Sequence, residues 1–214
     1  MRTADALTLY LSPGACSRVT LVALETAGLS YAARRVGLPQ GEQRSAAYLA
    51  LNPKGKVPLL VTPEGPLSEN LAILSWLDAQ APAAALLPPA GETYLRAKAL
   101  SWLAFSVSTL HPQLYRARMT ARIHPDTATH EGIRAAALAE MRQQLAAVDQ
   151  TLAAGRPWLM GERWCIADAH VSWAVDRACS SGLSLDGLPH VAALLERQMA
   201  QPAWQTALAR EASA

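Results

Sequence analysis

Cys16 stands in the segment Ser12-Pro-Gly-Ala-Cys-Ser17, where a short apolar run ends and a helical spacing begins. A thiol in the first turn of a helix lies beside N–H groups without intrahelical partners and beside the positive end of the helix dipole. Both favour thiolate over thiol. Cys16 is therefore a candidate reactive sulfur; the alternative is a small buried apolar side chain. Val19, not a second cysteine, stands three residues on. No local disulfide can close there, and redox turnover would need an external thiol, which points toward a glutathione user. In Asn52-Pro-Lys-Gly-Lys-Val-Pro58, a proline opens what reads as an internal strand, where it is poorly tolerated. A cis Val57–Pro58 bond would turn the chain and leave the Val57 backbone for a peptide ligand to pair with; the alternative is an ordinary loop before an edge strand. Ser68-Glu-Asn70 begins a helix, with Ser68 as a plausible N-cap. Free N–H groups there suit a carboxylate and Glu69 suits an ammonium, together an amino-acid head group; simple capping is the alternative.

The elements that must position these residues differ between the two halves. Residues 1–81 hold short β-type runs separated by turn signals and read β-α-β-α-β-β-α. The strands are expected at Ala6 to Leu11, Tyr31 to Val36, Val57 to Val61 and Pro66 to Ser68, and the helices at Cys16 to Ala27, near Arg44 to Leu51 and at Glu69 to Gln80. Such a start implies a right-handed parallel crossover, and the Pro63-Glu-Gly65 turn an antiparallel hairpin beside it. Residues 82–91, with three prolines, read as a linker. Residues 92–214 read as helices near 92–120, 127–154, 167–182 and 189–200 with a short tail helix. Ile133, Leu138, Met141, Leu145, Val148 and Leu152 recur at the three-or-four spacing of one helix face. The expected fold is an α/β domain followed by an all-α domain.

The 214 residues are 51% hydrophobic and 17% charged with a net charge of +2, a globular composition without a nucleic-acid-binding basic run. Met1 to Tyr10 lacks the apolar core and cleavage site of a secretory leader, and the apolar stretch 99–110 is interrupted by Ser101, Ser106 and Ser108. Cys16, Cys165 and Cys179 cannot all pair within the chain, and their spacing suits neither a disulfide framework nor a zinc site. A reducing compartment, the cytoplasm, follows as the expectation.

Pro13-Gly-Ala-Cys-Ser17, Asn52-Pro-Lys-Gly-Lys-Val-Pro58, Leu67-Ser-Glu-Asn-Leu-Ala-Ile73 and Ile166-Ala-Asp-Ala169 occur in the order seen in glutathione transferases, and the chain resembles the bacterial beta class. The resemblance implies a thioredoxin-like N-terminal domain, a homodimer, detoxification chemistry and reduced glutathione as cosubstrate, with no metal. It implies that Cys16 lies at the glutathione sulfur, where a mixed disulfide could form. It implies that Lys56, Val57 and Pro58 contact the tripeptide, that Glu69 and Asn70 hold its γ-glutamyl end, and that Ser108 and His111 serve from the helical domain. The implied activity is attack of the glutathione thiolate on an apolar electrophile, a disulfide or a peroxide. A glutathione-binding protein without turnover and a glutathione-dependent isomerase are the alternatives. The family's loop lysine falls near Gly41, with Arg44 a possible substitute, and Ala104 and Thr109 replace polar contacts. Cys165 replaces a Ser or Thr N-cap, leaving Asp168 as its half of a capping box.

On residues alone, His111 reads as a core or interface histidine beside the Pro112 kink, and His124, His130, His170 and His190 share no ligand spacing. Tyr10, Ser12 and Ser17 are further hydroxyls near the thiol. Trp102, Phe105, Tyr115, Trp164 and Trp173 either line an acceptor site or fill the core.

Overall fold

The structure is a computed structural model describing residues 7–213. The expected strand start at Ala6 and most of the segment read for a leader lie outside the described residues. The chain forms two compact units, Met1–Leu86 with Gln201–Ala214, and Leu87–Ala200.

The first unit holds β1 (Leu7–Leu11), α1 (Ser17–Ala27), β2 (Tyr31–Arg35), α2 (Ala46–Leu51), β3 (Leu59–Thr62), β4 (Gly65–Ser68) and α3 (Asn70–Gln80). The sheet order is β2-β1-β3-β4, with β1 and β2 parallel and the other pairs antiparallel. This is the mixed sheet that the element order implied, in the thioredoxin-like arrangement that the resemblance implied. Leu9 and Leu11 of β1 meet a core that includes Val19, Leu21, Leu24, Leu60, Ile73 and Leu77, all essentially buried. The edge strand β2 carries exposed Arg34 and Arg35, charges that discourage pairing with another chain. Gly28 ends α1 in the left-handed conformation (φ 63°), as a helix C-terminal glycine can without strain.

The tail helix α10 (Pro202–Ser213), read from the sequence with the helical domain, packs along α1 within the first unit instead. Its buried residues Trp204, Ala207 and Glu211 follow helical spacing along one face. That spacing reveals a face to be covered but not which partner covers it.

The second unit holds α4 (Thr93–Phe105), α5 (His111–Arg118), α6 (Thr120–Ile123), α7 (His130–Leu152), α8 (Ile166–Cys179) and α9 (Pro189–Met199). The helix expected near 92–120 is divided by a π-helical turn over Ser106–Leu110. Pro112 has no N–H and its ring crowds the carbonyl of residue 108, so the backbone widens and the His111 N–H reaches back to Ser106 O. On α7 the buried stripe is Ala137, Met141, Leu145, Val148 and Leu152; the expected Ile133 and Leu138 are half-buried. α8 is buried without a break from Ile166 to Val175, the centre of this unit. Among the described residues no helix is long and apolar enough to cross a membrane.

Candidate active site

Cys16 is the N-cap of α1 and is 9% exposed. The turn before it is closed by its own serines. Buried Ser17 Oγ donates to Ser12 O and accepts the Ser12 N–H, each at 3.2 Å. Both Ser17 oxygen functions are thus engaged within the loop. Tyr10 packs edge-on against Tyr48, its ring centroid 5.7 Å away. The Arg18 and Val19 N–H groups donate to Ala15 O and Cys16 O at 3.1 Å, which tightens the first turn.

The thiol donates to Val57 O at 3.7 Å. Burial pushes it up to about 12; the Glu69 carboxylate adds to the rise, while the Cys16 N–H, the Asn70 side chain and Lys56 oppose it. The helix end thus favours the thiolate, as expected from the sequence, while burial of the sulfur works against it. Desolvation of a sulfur enclosed by the loop exceeds the stabilisation that the helix end supplies.

The Val57–Pro58 peptide is cis, as the sequence implied. The loop ahead of it is organised by Asn52, a residue to which the motif alone gave no task. Its buried amide donates to Lys56 O at 2.7 Å and accepts the Lys54 N–H at 3.2 Å. Tyr48 OH donates to the same Lys56 carbonyl at 2.7 Å. Gly55 has φ 60°, and a Cβ there would come within 3.0 Å of Gln43 O, so the turn requires glycine. The position that a Gly55 Cβ would occupy lies 3.4 Å from Cδ of Arg44, which runs beside this loop.

Ser68 is the last residue of β4, paired with Leu59, and does not cap α3; that expectation is corrected. Glu69 takes the cap position with φ 74° and ψ 124°, a non-glycine residue in a region that costs about 1–3 kcal/mol. Its half-exposed carboxylate pairs with Lys54 Nζ at 3.0 Å. Asn70 is buried, and its carboxamide is committed internally: Oδ1 accepts from Thr20 Oγ1 at 2.8 Å and Nδ2 donates to Cys16 O at 3.0 Å. Residues 16, 57 and 70 are thereby joined through hydrogen bonds at Cys16, and the three motifs converge.

The family model for the Glutathione S-transferase, N-terminal domain matches residues 14–80, and that for the Glutathione S-transferase, C-terminal domain matches residues 110–202. A glutathione S-transferase, GstA, of Escherichia coli O157:H7 is 32% identical over 95% of this chain and 98% of its own. The chain belongs to the glutathione S-transferase family. A maleylacetoacetate isomerase of Pseudomonas aeruginosa is 32% identical over 87% of each chain. A sphingomonad glutathione S-transferase solved in complex with glutathione superposes with a TM-score of 0.84 at 32% identity, covering 97% of this chain and 100% of the other. The bacterial beta class glutathione S-transferase of Sphingomonas chungbukensis gives 0.83 at 28% identity, covering 95% and 98%.

In this transferase the remaining sequence candidates stand in the helical unit. Ser108 is exposed and donates to Ala104 O at 2.8 Å. His111 sits at the end of the π-helical turn with its ring edge-on to Trp173, centroids 4.7 Å apart. Trp173 is core, Trp102 packs edge-on to Phe105, and Trp164 donates to Gln198 Oε1 at 2.7 Å. Tyr115 is 40% exposed. His170, read from the sequence as unremarkable, is fully buried with Nδ1 2.8 Å from Ser106 Oγ. Burial and the neighbouring His111 push it down to about 3, so its ring is neutral. No spacing in the sequence signals this environment, which arises only where α8 packs against the π-helical turn. The Asp168 carboxylate accepts the N–H groups of Cys165 and Leu159 at 2.9 and 2.8 Å, completing the capping box with the Cys165 sulfur.

Proposed function

We propose that the transferase binds glutathione along residues 16, 56–58 and 69–70 and directs the tripeptide's own thiolate at an apolar electrophile. Val57 and Pro58 supply a peptide backbone on which the cysteinyl part can pair as an added strand, and Lys56 adds positive charge beside it. Glu69 holds the γ-glutamyl ammonium and the first-turn N–H groups of α3 hold its carboxylate. The role of Asn70 moves from side chain to backbone, because its carboxamide is engaged with Thr20 and Cys16. The Lys54–Glu69 pair is half-exposed and so weak enough, at about 0–1 kcal/mol, for an incoming ammonium to replace it.

The observation that carries this reading is the link from Cys16 Sγ to Val57 O and from Cys16 O to Asn70, which ties three distant segments together. The same observation favours conjugation over exchange through Cys16. Attack on a disulfide needs a thiolate, and Cys16 is a buried thiol donating a hydrogen bond. As a thiol it is suited to donate to the glutathione sulfur. Glutathione loses its S–H proton to solvent, its sulfur forms the bond to the electrophile, and the leaving group departs with its electron pair.

Titration calorimetry with glutathione and conjugation assays with a chloronitroaromatic electrophile test this. Binding in the millimolar range or tighter, with turnover, is expected; no binding ends the proposal. Ser108→Ala and His111→Ala assayed in parallel test the two roles in the helical unit. A maleylacetoacetate isomerisation assay separates transfer from isomerisation.

The proposal extends to a cytoplasmic homodimer. The three free cysteines suit a reducing compartment, and the exposed Tyr94, Leu95, Met119 and Ile123 offer apolar surface to a second copy. Light scattering on the purified protein measures the mass.

A further inference from the structure

The loop that presents Cys16 is held from the far end of the chain. Glu211, on α10, is 4% exposed, and one oxygen of its carboxylate gathers three donors. Oε2 accepts the Gly14 N–H at 3.3 Å, Arg18 Nε at 3.1 Å and Arg18 Nη2 at 2.8 Å. Gly14 lies two residues before Cys16 in a left-handed conformation (φ 73°), and Arg18 lies two residues after it in the first turn of α1. The carboxylate therefore grips both sides of the thiol. The guanidinium is itself enclosed: Arg18 is 7% exposed, with Cζ 5.6 Å from the ring centroid of fully buried Trp204.

We propose that Glu211 is a positioning residue for the glutathione chemistry: with Arg18 it fixes the Gly14 peptide, and so the place and enclosure of Cys16. A contact needed only to dock α10 would be met more simply by apolar side chains, since buried ion pairs seldom add net stability over them. Here one oxygen is spent on the loop backbone, while the other, Oε1, is buried without a hydrogen-bond partner among the described residues. The oxygen that pairs with Arg18 also accepts the Gly14 N–H, which couples the loop to α10 in a way that docking alone does not require. The inference rests on the site proposed above for its activity readout, but not for its thiol readout.

The experiment compares wild type with Glu211→Gln, with Arg18→Met/Glu211→Leu, and with Trp204→Phe, which perturbs the packing of α10 but keeps an aromatic ring against Arg18 and leaves the Glu211 contacts in place. Each variant is first checked for folding by circular dichroism and urea unfolding; the apolar double variant keeps α10 docked should Glu211→Gln unfold. Iodoacetamide labelling of Cys16 is followed against pH by mass spectrometry of its peptide. Release of the loop is expected to speed labelling by about tenfold at fixed pH in the folded Glu211 variants, as the thiol is less desolvated. Trp204→Phe is expected to label like wild type. In the conjugation assay the Glu211 variants are expected to lose about tenfold in kcat, with the pH profile of kcat/KM displaced upward, and to change the KM for glutathione less. Folded Glu211 variants with wild-type labelling and wild-type kinetics overturn the proposal. If wild type binds no glutathione, the site reading fails, and the labelling comparison still decides the role of Glu211.

Discussion

Two helices of this transferase begin at a cysteine, and they are finished in opposite ways. At α8, Cys165 is extended (φ −144°, ψ 168°) and the N3 residue is Asp168, whose carboxylate returns to the Cys165 N–H while the sulfur accepts from N3. At α1, Cys16 is itself in helical conformation, makes no side-chain cap, and the N3 residue is Val19. The first terminus is satisfied by its own sequence neighbours. The second is held by Ser12, Val57, Asn70 and Glu211, residues drawn from four separate segments. A helix end closed locally is a structural joint, whereas one closed from a distance leaves room for a ligand to take part.

Four measurements break or sharpen this contrast, in order of expected effect. Removing the closing acid at α8 should cost most: Asp168→Ala deletes two buried charge-assisted hydrogen bonds and a cap, and should lower stability by about 3 kcal/mol in urea unfolding. A loss under about 1 kcal/mol would mean that α8 does not depend on its box.

The next concerns pH. His170 is held near 3 against 6.5 when unfolded, so its contribution is lost as pH falls from 6.5 toward 3. Burial raises Asp168 from 3.8 to about 6, so that group instead gains stability as pH falls through this window. Acidification from about pH 7 to 4.5 therefore costs stability at His170 and returns stability at Asp168, two opposing contributions. His170→Gln should remove the loss and leave a protein whose urea midpoint does not fall at about pH 4.5. A midpoint that still falls as in wild type would place the acid sensitivity elsewhere.

At α1 the corresponding deletion should be read in activity. Cys16→Ala is expected to reduce conjugation about tenfold, equivalent to about 1.4 kcal/mol in the transition state, while stability changes by less than about 1 kcal/mol. Equal losses at both cysteine-capped helices would erase the distinction. The smallest effect is at the α8 sulfur: Cys165→Ser supplies a stronger acceptor for the Asp168 N–H and should stabilise by up to about 1 kcal/mol.

Much of the framework was legible in the sequence. The strand and helix order, the Gly28 stop, the bend before Pro112, the cis Val57–Pro58 peptide and the Cys165–Asp168 box all follow from residues a few positions apart. The candidate site was legible as three motifs, but the tasks inside it shifted. Asn70 turned inward to Thr20 and Cys16, Ser68 stayed in its strand, and Asn52 proved to organise the loop that carries Val57. Those choices depend on which polar groups meet after folding, which spacing does not record.

The sequence by itself determined the local conformations, because helical period, turn chemistry and proline geometry act over a few residues. Only the tertiary structure decided that the Cys16 sulfur is enclosed, that Glu69 adopts a positive φ, and that α10 returns to α1 to place Glu211 at Gly14. Desolvation and long-range hydrogen bonds depend on every segment that closes around a group, and the segments that meet at this loop are separated by 41 to 197 residues.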